Sequence, residues 1–251
     1  MTPRETAARA LPLLDLTSLN DDDTDERIEA LCARAVTPAG RVAAVCIYPR
    51  FVPLARRLLA GTGVRIATVV NFPEGTAPPA RVADDTAAAV ADGADEIDVV
   101  MPWRALAAGD AQAVRAVLGA CRGACPGSTL KVILETGGLA DPGLVGAASR
   151  LALEAGADFL KTSTGKLQPA ATPEAAAVMM TAIRDAGAAA GFKAAGGIRD
   201  TAAAAAYLGL ADAILGAGWA SPATFRFGAS GLLDALLADL GMGPAGPSSG
   251  Y

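Results

Sequence analysis

Short apolar runs recur along this chain at intervals of roughly thirty residues, the length of one strand plus one helix, and that recurrence predicts successive βα units. Eight runs are counted: "LPLLDLT" (11–17), "VAAVCIYP" (42–49), "RIATVVNFP" (65–73), "EIDVVMP" (96–102), "LKVILET" (130–136), "FLKTSTG" (159–165), "GFKAAGG" (191–197) and "AILGAG" (213–218). The segments between them carry helix punctuation. Asp23 with Glu26 three residues on reads as a capping box. Thr172 before Pro173 and Asp141 before Pro142 mark helix starts, with Gly187 and Gly156 as stops. Eight such units in 251 residues predict an α/β protein, a (β/α)8 TIM barrel forming one domain over residues 1–240. A doubly wound open sheet is the rival, but no G-x-G-x-x-G follows the first strand to support it. The Gly/Pro/Ser-rich end, "GMGPAGPSSGY" (241–251), reads as a flexible C-terminal tail.

Composition narrows what such a barrel does. The chain is 52% hydrophobic with a formal net charge of -5, and has no basic patch that would suggest a nucleic acid partner. A phosphorylated ligand would therefore need a local positive site. There is no apolar signal core at the start and no run of the ~18 apolar residues that spans a bilayer, so a cytoplasmic protein without membrane contact is expected. Cys32, Cys46, Cys121 and Cys125 are too irregularly placed for a disulfide framework and read as free thiols. Histidine is absent. That removes Ser-His-Asp and Cys-His pairs, the usual His-bearing zinc sites and histidine bases, leaving Lys, Asp, Glu, Cys, Ser, Thr or Tyr to do any chemistry.

Catalytic side chains in a barrel come from the C-terminal ends of strands. The polar residues that interrupt the apolar runs sit there: Asp15 and Thr17, Cys46, Asn71, Asp98, Lys131 and Glu135, Lys161 with Ser163, and Lys193. Alternation puts Lys161 and Ser163 on one face, and Glu96 with Asp98 on one face, but parity does not say which face is inward. Each has an ordinary reading by itself. A strand-end lysine is a rim ion pair, Asp98 a cap or structural pair, Cys46 a small buried apolar residue, and "AGG" a turn. Two lysines and two aspartates at the same end of one barrel are hard to explain as core. An amine is a nucleophile only when neutral, and a second ammonium beside it lowers its pKa. Lys161 and Lys193 fall on consecutive strands, so the set suggests Schiff-base chemistry on a carbonyl compound, with no metal and no cofactor. Gly165, Lys166, Gly196, Gly197 and Ser230 add glycine amides, a cation and a helix start, which together suit a phosphate.

These stretches resemble the class I deoxyribose-phosphate aldolases, in their longer bacterial form. The likeness runs from residue 14 to residue 233, through "LDLTSLNDDDT", "CIYPRFV", "ATVVNFPEG", "GADEIDVVMPWRAL", "LKVILETG", "GADFLKTSTGK", "GFKAAGGIRD" and "RFGASGLL". The resemblance implies reversible cleavage of 2-deoxy-D-ribose 5-phosphate to D-glyceraldehyde 3-phosphate and acetaldehyde. It implies Lys161 as the Schiff-base lysine, Lys193 as the neighbouring ammonium, and Asp98 with a water for proton transfer. Asp15, Lys131, Cys46 and Thr17 would support the site, and Lys166, Gly165, Gly196, Gly197, Ser230 and Gly231 would hold phosphate. Tyr251 could offer its phenol from the tail. Departures from the pattern are Gly138 where Glu is usual, Met101 and Trp103 where Phe and Tyr are common, and Gly231 where a second Ser often stands. The alternatives are a class I aldolase for another aldehyde donor and a non-catalytic sugar-phosphate-binding barrel. The oligomeric state stays open, with a homodimer as the assembly considered.

Overall fold

The computed structural model describes residues 1–242, and at its centre eight parallel strands close into a barrel. In chain order they are β1 (Leu14–Thr17), β2 (Ala44–Ile47), β3 (Arg65–Val70), β4 (Glu96–Val100), β5 (Thr129–Ile133), β6 (Phe159–Lys161), β7 (Gly191–Ala195) and β8 (Phe225–Ala229). Each pairs with its successor and β8 closes on β1. Helices alternate with the strands, so the expected (β/α)8 architecture is the one found. The tail expected at 241–251 falls mostly outside the described residues, and Tyr251 lies there with it.

The eighth strand differs from the sequence expectation. Residues 213–215 of the "AILGAG" run end a helix, Thr201–Leu215, and the strand is Phe225–Ala229, which reads as a loop in the sequence. Seven of that helix's 15 residues are alanine, with leucine and isoleucine among the rest, so apolar residues occupy every face and no 3.6-residue period marks it. The true strand alternates Phe225 and Phe227 outward against Arg226 and Gly228 inward. One helix start also shifts. Thr24, not Asp23, caps helix Asp25–Arg34 by accepting the Arg27 amide. Asp23 instead binds the Ser18 hydroxyl at 2.9 and 2.8 Å and the Asn20 amide at 3.0 Å, bracing the loop after β1.

The sheet divides two cores. Leu14, Leu16, Val45, Ile47, Ile66, Ile97, Val99, Leu130, Val132, Leu160, Phe192 and Phe225 point outward into one continuous apolar layer beneath the helices. Burial of that layer, at roughly 25 cal/mol per Å² of apolar surface, is the main force holding helices to sheet. The inner face has a small apolar cluster, Leu19, Ala44, Cys46, Ala67 and Val69, on the β1–β3 side. From β4 round to β1 the interior is charged, with Val100, Ile133, Phe159 and Ala195 among the ions. Gly228 belongs to it for a steric reason: a Cβ there would lie 2.9 Å from Cε of Lys193 and 3.1 Å from Cβ of Ala195.

Candidate active site

Parity, ambiguous in the sequence, resolves with the charged faces inward. Lys161 of β6 is the register partner of Lys193 of β7, and Lys193 that of Arg226 of β8. Asp98 of β4 is likewise opposite Lys131 of β5. The side chains meet in one network. Asp98 Oδ2 accepts from Lys161 and Lys193, both at 2.8 Å, and Oδ1 from Lys131 at 2.6 Å. Lys193 also donates to Asp15 Oδ2 at 2.5 Å, and Lys131 pairs with Glu96 at 2.7 Å. Arg226 closes the lower end, donating to Asp15 at 2.6 Å and to both oxygens of Glu96 at 3.1 and 2.9 Å.

Every member of this network is buried. Removing a lone ion from water costs several kcal/mol, so each must be compensated by a partner or by losing its charge. Burial pushes the Asp98 carboxyl up, but Lys131, Lys161 and Lys193 outweigh it and hold the group well below the usual carboxylate range. Asp15 and Glu96 are likewise pulled down against burial, by Lys193, Arg226 and Lys131 for the first and by Lys131 and Arg226 for the second. Burial alone would lower Lys193, yet Asp15 and Asp98 raise it far above an ordinary lysine. Lys161 goes the other way. Burial lowers its pKa most, Asp98 opposes, and the Lys193 ammonium lowers it again. The expected effect of Lys193 is therefore present, but desolvation comes first.

Three carboxylates, Asp15, Glu96 and Asp98, face four bases, Lys131, Lys161, Lys193 and Arg226. Neutrality requires one base without its proton. Lys161 is the one shifted in that direction.

Two cavities open at opposite ends of the barrel. The one at the C-terminal end, about 960 Å³, is lined by Lys161, Thr17, Asn20, Thr164, Gly165, Lys166, Gly196, Gly197, Arg199, Ser230 and Gly231. Thus Lys161 is the lysine of the network that borders this cleft, and all six expected phosphate residues border it too. Gly165 and Gly196 approach so closely that a Cβ on Gly196 would lie 3.2 Å from Cα of Gly165, and both have positive φ, 83° and 87°. Gly231, rather than Ser230, is the cap of helix Leu232–Asp239, and it offers no side-chain cap. Lys166 reaches Asp21 across the mouth at 3.8 Å. The other cavity, about 660 Å³, lies at the N-terminal end, where Arg226 and Glu96 form part of its lining.

Cys46 is fully buried, with Sγ 3.9 Å from Asp98 Oδ2, and burial pushes its thiol pKa up. Asn71 stays out of the site. At φ 55° it ties the loop after β3, donating to Val100 O and accepting from the Ala77 amide. Glu135, also at φ 55°, accepts from the Thr164 hydroxyl at 2.5 Å and so braces the turn that follows Lys161. Sequence reasoning missed Arg226, Arg199 and the partners of Glu96; the Phe-x-Phe alternation around Arg226 was the available signal. Two departures also fit one another. A Cβ on Gly138 would lie 2.7 Å from the Trp103 ring, so the bulk absent at 138 is present at 103. Met101 is buried in the outer core, away from the cleft.

Among the described residues no three His, Cys, Asp or Glu side chains are placed to hold a metal ion. No helix among them is long and apolar enough to cross a membrane.

A family model described as DeoC/LacD family aldolase matches residues 9–237. Among solved structures, an apo candidate deoxyribose-phosphate aldolase from Toxoplasma gondii ME49 is 28% identical, with 97% of this chain and 98% of that chain covered at a TM-score of 0.89. A candidate deoxyribose-phosphate aldolase from Coccidioides immitis is 31% identical over 91% of this chain and 85% of its own, with a TM-score of 0.79. The fold is shared also with the deoxyribose phosphate aldolase of Aeropyrum pernix, described as tetrameric, at 24% identity, 94% and 92% coverage and a TM-score of 0.75.

Proposed function

Because the chain belongs to the DeoC/LacD family of aldolases, we propose that it cleaves 2-deoxy-D-ribose 5-phosphate reversibly to D-glyceraldehyde 3-phosphate and acetaldehyde through a Schiff base on Lys161. One observation carries this reading. Lys161 is the buried lysine that both borders the cleft and is shifted toward its free amine.

The steps follow from that geometry. The free Lys161 amine attacks C1 of the open-chain sugar, and loss of water gives an iminium. Removal of the C3 hydroxyl proton breaks the C2–C3 bond, and the electron pair moves into the iminium to give an enamine as D-glyceraldehyde 3-phosphate departs. Protonation of the enamine carbon and hydrolysis then release acetaldehyde and restore the amine. In the free enzyme both Asp98 oxygens are engaged by lysines. Once the Lys161 nitrogen becomes iminium, Asp98 gives up one of its three lysine contacts and Oδ2 positions a water that carries the proton between the C3 hydroxyl and the enamine carbon. Lys193 stays ammonium, Asp15 and Lys131 hold it and Asp98 in place, and Thr17 and Cys46 complete the walls. Lys166 with Gly165, Gly196, Gly197, Ser230 and Gly231 binds the phosphate, which orients C1 toward Lys161. Tyr251, outside the described residues, is the alternative donor of that same proton to C2.

Four buried thiols, none in a disulfide among the described residues, support a cytoplasmic setting. A homodimer is the proposed assembly, checked by light scattering. The reaction is tested by borohydride reduction in the presence of acetaldehyde. One reduced adduct on the "FLKTSTGK" peptide is expected, lost in Lys161→Ala; an adduct on Lys193 would reverse the two roles.

A further inference from the structure

We propose that Arg226, at the end of the barrel opposite the substrate cleft, is a positioning residue that keeps Lys161 a free amine by holding Asp15 and Glu96 in charge balance with the lysines between them. The inference rests on Lys161 being the nucleophile.

Arg226 does not touch Lys161. Two routes connect them, one through Asp15, Lys193 and Asp98, the other through Glu96, Lys131 and Asp98, and every link is a hydrogen bond or ion pair of 3.1 Å or less. The guanidinium is held on all sides. Its Nε donates to Pro222 O at 2.6 Å, its two amino groups reach Asp15 and both oxygens of Glu96, and its carbon lies 5.4 Å from the centre of the Phe159 ring. A lysine has one charged nitrogen and could not bind the two oxygens of Glu96 as a planar fork while also reaching Asp15.

The charge count gives Arg226 its role. With Arg226 in place, Asp15, Glu96 and Asp98 are matched by Lys131, Lys193 and Arg226, and Lys161 need carry no charge. Without it, three buried carboxylates face two fixed ammonium groups, and the cheapest third charge is a proton on Lys161. Removing Glu96 instead leaves a surplus of positive charge and favours the free amine further. The other groups around Lys161 are Lys193 on β7, Asp98 on β4, Cys46 on β2 and Glu135 after β5. Around Arg226, beyond Asp15 and Glu96, the charged residues of the N-terminal cavity are Arg41, Arg65, Arg122 and Asp158. All of these stay constant in the comparison below.

The test measures the rate of borohydride-trapped acetaldehyde adduct on the Lys161 peptide against pH. In Arg226→Met the midpoint should move alkaline by about one pH unit, cutting the rate at neutral pH roughly tenfold and regaining it at high pH. In Glu96→Gln the midpoint should move the opposite way, and Arg226→Met/Glu96→Gln should return close to the wild type. A purely structural role would lower the trapped yield at every pH and leave the midpoint in place, which overturns the proposal, as would both single variants shifting in the same direction. Should Arg226→Met fail to fold by circular dichroism, the acid shift of Glu96→Gln decides alone. Absence of any wild-type adduct on the Lys161 peptide is a different result, and it removes the parent reading rather than the role of Arg226.

Discussion

On the β2–β3 side the barrel is lined by Ala44, Cys46, Ala67 and Val69, whereas from β4 round to β1 it is lined by Glu96, Asp98, Lys131, Lys161, Lys193, Arg226 and Asp15. In the role proposed for it, Lys161 needs both halves. The apolar side and the close walls keep out water, which is the largest cause of its lowered pKa; the ionic side supplies Asp98 to hold the nitrogen and Lys193 to lower the pKa again. An apolar interior alone would bury a lone amine with no means of moving protons. An ionic one open to water would leave the amine protonated.

Breaking the ionic half should have the largest effect. Asp98→Asn leaves the Lys131 and Lys193 ammonium groups and the Lys161 amine without their shared carboxylate and should cost about 3–5 kcal/mol of stability. Cleavage of the sugar phosphate should also nearly vanish, because Asp98 positions the water that carries the proton. Val69→Ala, the register partner of Asp98 across β3 and β4, removes two methyl groups from the apolar half and should cost about 2 kcal/mol. Cleavage should persist there. Urea denaturation beside an assay of cleavage checks both, and equal losses from the two variants would erase the distinction between the halves.

Next comes Lys193. In Lys193→Leu the net charge around Lys161 becomes negative, so its pKa should rise and trapping at neutral pH should fall by about tenfold for each unit of rise. Lys193→Arg keeps the charge and should recover part of the lost rate. A Lys161 pKa unchanged in Lys193→Leu, with activity gone, would move Lys193 from electrostatics to direct proton transfer.

Gly228→Ala sharpens the contrast at the boundary of β7 and β8. The added methyl would press on Cε of Lys193, costing about 1–3 kcal/mol as overpacking and slowing trapping through a displaced ammonium. Normal trapping with full stability would show that Lys193 has room to spare.

A smaller effect separates the halves by pH. Asp15, Glu96 and Asp98 all titrate below their ordinary values of 3.8, 4.5 and 3.8. The unfolded chain therefore binds more protons as acid is added, so their stabilisation is complete above about pH 5 and is lost as pH falls through the lower folded values. Denaturation midpoints of Asp98→Asn should fall less steeply in acid than those of the wild type, while Val69→Ala should keep the wild-type slope. The smallest expected effect is none: prolonged chelation should leave activity intact, and a loss restored by one divalent ion would refute the lysine mechanism.

Much of this was legible in the sequence. The recurrence of βα units carried the barrel, and Lys161, Lys193 and Asp98 stood out because charges at strand positions violate the apolar pattern. What escaped was tied to the same rule. Arg226 sits in a five-residue strand whose inward positions are Arg and Gly, so the strand looked like a loop, and the alanine-rich helix before it looked apolar enough to replace it. Glu96 shared a face with Asp98, but its partner could be found only by closing the barrel, since Arg226 is 130 residues away along the chain.

The contact between Trp103 and Gly138 limits how this chain can change. A larger residue at 138 has no place while the indole is there, and a smaller one at 103 opens a gap while 138 is glycine. Neither position can drift toward the common family pair by itself without passing through a clash or a void, so the two constitute a single heritable trait. An engineer who grafts glutamate onto position 138 alone should find the Trp103 ring displaced and stability reduced, and one who changes 103 and 138 together should not.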